Sequence, residues 1–147
     1  MDIETIADDI KDLLGQKEPE IFFPEGVPAF ENAQSFNLWT NEEVEPFMAL
    51  SSKEINGFGF FCVDPFLIYP DYKFKLSTQD QTFLEIKNQN EALVLAFVTR
   101  TENPEDFTAN LMAPIVINIS NWQAKQVIVD KYPVRYRIWD NIDHLEG

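Results

Sequence analysis

The chain has 147 residues, enough for one domain whose core folds without cross-links, and 45% of them are hydrophobic, which excludes a disordered tail. Its formal net charge is -14, from 25 acidic and 11 basic residues. That balance lacks the clustered cations that phosphate contacts need and is repelled by anionic membranes, so a basic protein is its natural electrostatic complement.

Ile3, Ile6, Ile10, Leu13 and Leu14 recur at helical spacing with acids between them, and Gly15 is a natural stop. This predicts an amphipathic helix over 3–14 that packs on the domain or docks on a partner. The segment lacks the basic start and long apolar run of a signal peptide, and no apolar stretch reaches the ~18 residues of a membrane helix. With a single cysteine there is no internal disulfide, which suits a reducing compartment. The cytoplasm is the expected location.

After the polar link QKEPE, the body is rich in strand-forming residues, with 13 Phe against 5 Gly. EIFFPEGVPAFE reads as a strand, a Pro-Gly-Pro turn and a re-entry. SFNLWT alternates Phe36, Leu38 and Thr40 against Asn37 and Trp39, and FMALSS and GFGFFCV are further strands. VDPFLIYPDYKFKL reads as a turn, a short strand, a second turn and a strand with Phe74 and Leu76 on one face. Ser77 with Asp80 three residues on resembles a cap, predicting a short helix near 78–86. ALVLAFVTR is the clearest buried strand, TENPEDF is a loop, and AKQVIVD and VRYRIW are strands.

TANLMAPIVIN, residues 108–118, is the least ordinary strand, because a proline interrupts it. Period two puts Leu111, Ala113, Ile115, Ile117 and Ile119 on one face. Pro114 belongs at an edge or bulge, so the strand is expected to bend there like a barrel corner. Asn110 suits a turn capped by its own side chain, or a left-handed residue. Close-spaced strands without βαβ alternation predict a mainly β, small antiparallel β-barrel-like or sandwich domain. The expected division is an N-terminal helical extension over 1–20, a β domain over 21–140 and a tail over 141–147.

Chemistry is sparse. The lone histidine, His144, lies in the tail, and Cys62 lies in an apolar strand, so neither a Cys-His nor a Ser-His-Asp set is expected. No His/Cys cluster or D-x-D-x-D-G loop offers a metal site. Gly57 and Gly59 lack a third glycine at 62, so they form no dinucleotide fingerprint and instead let a strand twist or bulge. The adjacent acids Asp8/Asp9, Glu42/Glu43 and Glu105/Asp106 point apart rather than across a cleft. The residues alone therefore point to a binding protein without catalytic activity or cofactor. An adaptor with an unrelated partner and a carboxylate-dependent enzyme, for example on a sugar, remain alternatives.

TANLMAPIVINISNWQAKQVIVD, residues 108–130, resembles the signature of the FliW family of flagellar assembly factors, through Thr108, Asn110, Leu111, Ala113, Pro114, Ile115, Asn118, Ala124, Gln126 and Val127. IFFPEGVPAFE resembles the family's Phe-Pro-Gly opening, and Asp64, Pro65, Tyr72 and Phe74 its Asp-Pro…Tyr-x-Phe segment. Ala29 departs from the pattern where a second glycine is usual, so that turn is a candidate for altered backbone angles. The acidic segment 3–14 departs from the strand-like start the family suggests.

The resemblance implies a small β-barrel without enzymatic activity and with two protein partners, and nothing in the sequence demands more than a monomer. One is flagellin. The other is CsrA, a small basic RNA-binding protein that represses translation of flagellin mRNA. Flagellin holds the factor, and its export frees the factor to bind CsrA, away from the RNA-contacting surface, and so relieve repression. It makes Asp71, Tyr72, Asn110, Leu111, Asn118 and Gln126 the candidates for partner contact.

Overall fold

The computed structural model describes residues 1–4, 18–40, 43 and 46–139. In chain order these form β1 (Asp2–Ile3), β2 (Glu20–Phe22), β3 (Ser35–Trp39), β4 (Met48–Ser52), β5 (Gly59–Val63), α1 (Pro65–Ile68), β6 (Phe74–Lys75) and α2 (Thr78–Leu84). The order continues with β7 (Ala92–Thr99), β8 (Thr108–Ala109), β9 (Ile115–Asn118), β10 (Gln123–Gln126) and β11 (Tyr136–Arg137). Strands β7, β5, β4, β3, β2, β10 and β9 pair in that order, and β9 returns to β7, which closes a seven-stranded barrel. The antiparallel expectation holds at every barrel seam but one, where β2 and β10 run parallel through the single pair Phe22–Gln123.

The barrel forms because each of its strands turns an apolar face inward, and β5, β7 and β9 carry a second apolar face outward. Phe36, Leu38, Leu50, Leu93, Leu95 and Ile117 point inward and are at most 1% exposed. Val63, Val94 and Val116, on the same strands in the opposite phase, join Tyr72, Leu84 and Ile138 in a second core. Chain 64–86 and the final stretch to Ile138 cover that outer face, so β7 is buried on both faces and reads as a continuous apolar run. Each fully buried Leu, Ile or Phe contributes about 1.5–3 kcal/mol from desolvation.

Local signals explain the edges. The Ser77 hydroxyl accepts the Asp80 N–H at 3.0 Å, starting α2 where the capping pattern predicts, and Glu85 ends it at φ 58°. Gly59 sits where β5 passes β4, and a Cβ there would stand 2.4 Å from the Leu50 carbonyl oxygen. Ala29 adopts φ 73°, so the turn keeps a glycine-like backbone although the glycine is gone.

Three expectations are corrected. The short strand expected in FLI is the helix α1, because Asp64 accepts the Phe66 N–H at 2.9 Å as an N-cap and Pro65 fits the first helical position. Ile3, assigned to a helix by spacing, lies in β1 opposite Phe74; the rest of the predicted N-terminal helix falls outside the described residues. Leu111 does not share a face with Ile115 and Ile117: it lies in the outer core and they lie inside the barrel. Between the pairs Val98–Ala109 and Leu95–Ile115, five residues (110–114) stand opposite two (96 and 97). The three extra residues are an odd number, and they invert the alternation.

Candidate functional site

The bulge over 110–114 gathers most of the candidate residues, and its N–H groups and the carbonyls of 111–114 all have partners. The Asn110 N–H continues the ladder to the Phe97 carbonyl at 2.9 Å, while its side-chain oxygen accepts the N–H groups of Met112 (3.1 Å) and Ala113 (3.0 Å). The Asn110 side chain thus caps the turn, as anticipated. The Leu111 N–H donates to the Pro133 carbonyl at 3.0 Å, and the Leu111 carbonyl accepts the Tyr72 hydroxyl at 2.7 Å. The Met112 carbonyl accepts the Val129 N–H at 2.6 Å, and the Pro114 carbonyl accepts the Val127 N–H at 2.9 Å. The Gln126 side-chain amide donates to the Ala113 carbonyl at 2.9 Å. Pro114 is buried and sits in a bulge, where its missing N–H removes no ladder bond.

Asn118 closes the far end of β9. Its Nδ2 donates to the Leu84 and Glu85 carbonyls at 2.7 and 3.2 Å, and its Oδ1 accepts the Ser120 N–H at 2.8 Å. It is the one fully buried polar side chain among the described residues, and it ties the end of α2 to the barrel wall.

Asn110, Leu111 and Gln126 therefore meet at the bulge, with Tyr72 beneath it and Asn118 at the other end of the strand. Tyr72, Leu111 and Asn118 are at most 1% exposed, so their side chains build the scaffold and offer no surface. Asn110 and Gln126 are half-buried with their amides engaged, and Asp71 is exposed on the turn before β6. Sequence reasoning missed Tyr132. Its ring packs 4.4 Å from that of Tyr72, and its hydroxyl accepts the Lys73 N–H and donates to the Lys73 carbonyl, both at 3.0 Å. Burial, with Tyr132 beside it, pushes the Tyr72 hydroxyl well above the usual tyrosine range. The 59-residue separation of Lys73 and Tyr132 leaves no local signal for this pairing.

Little else offers chemistry. Cys62 is fully buried, and that burial holds its thiol far above the usual range, so it is no nucleophile. Among the described residues no three His, Cys, Asp or Glu converge as a metal site, and no helix is long and apolar enough to cross a membrane. An open groove of about 250 Å³ between Asp2, Glu4, Lys73, Lys75 and Lys131 carries charges of both signs. His144 lies outside the described residues.

What these features define is a small closed β-barrel whose most distinctive stretch is an architectural bulge. The family model described as FliW protein matches residues 6–138, and the chain belongs to the FliW family. A flagellar assembly factor FliW from Clostridium botulinum (strain Alaska E43 / Type E3) is 40% identical over 116 residues, covering 79% of this chain and 82% of that protein. One from Caldicellulosiruptor saccharolyticus is 36% identical over 129 residues, covering 86% and 84%. A crystal structure of the flagellar assembly factor FliW superposes with a TM-score of 0.75 at 31% identity, covering 81% of this chain and 84% of that one.

Proposed function

We propose that this chain is a cytoplasmic flagellar assembly factor that binds flagellin and, once released from it, binds and antagonises CsrA, relieving repression of flagellin synthesis. The family match across residues 6–138 carries the reading. The net charge of -14 supports the basic partner, since opposite charge steers association and discourages wrong pairings. The reading is one of stoichiometric binding, without turnover or cofactor, by a monomer. Titration of the purified chain with purified CsrA, and separately with purified flagellin, tests it. A saturable complex with each is expected, and failure to bind either partner overturns the reading.

A further inference from the structure

The barrel's one parallel seam stops early, and the residue that stops it is identifiable. On β2, Phe22 turns its backbone toward β10 and donates to the Trp122 carbonyl at 2.9 Å. Phe23 turns the other way, donating to the Gln34 carbonyl at 2.7 Å. The alternation of β2 would next turn Pro24 toward β10, but Pro24 has no N–H to give and already lies in a turn that the Gly26 N–H closes on the Phe23 carbonyl at 2.8 Å; its own carbonyl accepts the Gln34 side-chain amide at 3.1 Å. With the chain turning here and no N–H to offer, the ladder to β10 ends at Phe22.

β10 does continue. The N–H groups of Val127 and Val129 point to the bulge, donating to the Pro114 and Met112 carbonyls. By the alternation of an antiparallel strand, the N–H groups of Gln126 and Ile128 point the opposite way, toward the space that β2 has vacated. No described residue bonds to them there. This edge also carries the most exposed large apolar side chain among the described residues, Ile128 at 65%, and Phe22 beside the seam is 40% exposed. Folded monomers usually blunt an open edge with charge, proline or cover. Here the proline sits in the turn after the opposite strand, and an isoleucine marks the edge itself.

Resting on the functional reading above, we propose that the open edge over Gln126–Ile128 is the docking site for an extended segment of the basic partner, CsrA, which adds to β10 as a strand and packs an apolar side chain on Ile128. Unpaired backbone groups recognise extended backbone, and side chains at alternate positions select the sequence. The surrounding charge favours a cationic segment: Glu25 lies across the seam, 3.7 Å from Lys125, which Asp80 already neutralises at 2.6 Å, and the whole chain carries -14.

Amide hydrogen exchange on the full chain, alone and saturated with purified CsrA, tests the proposal. Alone, Gln126 and Ile128 exchange fast while Val127 and Val129 are protected; with CsrA, Gln126 and Ile128 slow by about tenfold or more. Ile128→Asp, at an exposed position, folds with an unchanged melting temperature and binds CsrA at least about tenfold more weakly. A CsrA complex that leaves both amides at their free rates overturns the proposal but keeps the functional reading. So does Ile128→Asp binding within about twofold of the parent, or protection by flagellin with none by CsrA. Absence of any CsrA complex with the unaltered chain overturns both.

Discussion

Asn118→Leu is the sharpest test of the scaffold around the bulge. Leucine keeps the size and branching of the side chain but can neither donate nor accept. The substitution removes the Asn118 bonds to the Leu84 and Glu85 carbonyls and the Ser120 N–H, and leaves the Leu84 carbonyl only the long contact from the Asn121 side-chain amide at 3.4 Å. Glu85 and Ser120 are exposed, so water replaces what they lose; Leu84 is fully buried, and its carbonyl bears most of the cost. A buried carbonyl left with only a long, weak bond incurs most of the about 1–3 kcal/mol that full loss of its partners costs, and the losses at Glu85 and Ser120 bring the total to about 2–3 kcal/mol. For a chain of this length that is a fall in melting temperature of about 5–15 °C. Urea unfolding followed by tryptophan fluorescence should show the midpoint falling with an unchanged slope. Asn118→Asp adds a sign test. Its carboxylate would face two carbonyl oxygens, raising its folded-state pKa, so its deficit should be smallest below the ordinary aspartate range and grow as pH rises through that raised value. A loss below about 0.5 kcal/mol for Asn118→Leu would refute the assignment of Asn118 to the scaffold.

At Ala29, φ 73° costs an L-residue about 1 kcal/mol, so Ala29→Gly should hold or raise stability by up to about 1 kcal/mol while Ala29→Val loses more than about 1 kcal/mol in the same unfolding assay. Glu91 accepts the backbone N–H groups of Lys87 and Asn88, both at 2.9 Å, and these bonds hold its carboxyl below the usual glutamate range. A lowered folded-state pKa stabilises above the unfolded value, so the parent's advantage over Glu91→Gln should be constant at neutral pH and shrink as pH falls below about 4.3, measured by thermal melts across acid pH. The association rate with CsrA should fall as salt rises from about 0.05 to 0.5 M in stopped-flow mixing; a flat rate would make the -14 charge a matter of solubility alone.

The strands were legible where period two or a long apolar run marked them: Ser35–Trp39, Met48–Ser52 and Ala92–Thr99 lie where their side chains suggest. The helix Thr78–Leu84 was legible through Ser77 and Asp80. PFLI misleads because four residues are too few for either period to show, and the decisive signal is the Asp64 cap with Pro65 at the first helical position. Leu111 misleads because a bulge with an odd number of extra residues reverses the faces, and Pro114 announces a bulge without giving its length. Tyr72 and Asn118 belong to recognisable motifs, yet their work is internal. A motif marks what a fold needs as readily as what a partner touches, and only burial separates the two. The edge at Ile128 was hidden because it depends on a proline about a hundred residues earlier in the chain.

The central claim is a switch between two partners, and the most direct measurement is exchange. The chain is saturated with CsrA, excess flagellin is added, and the mixture is resolved by size with each protein identified in each peak. The account predicts that CsrA is released and that every complex holds one partner or the other. A stable peak containing all three proteins would contradict it.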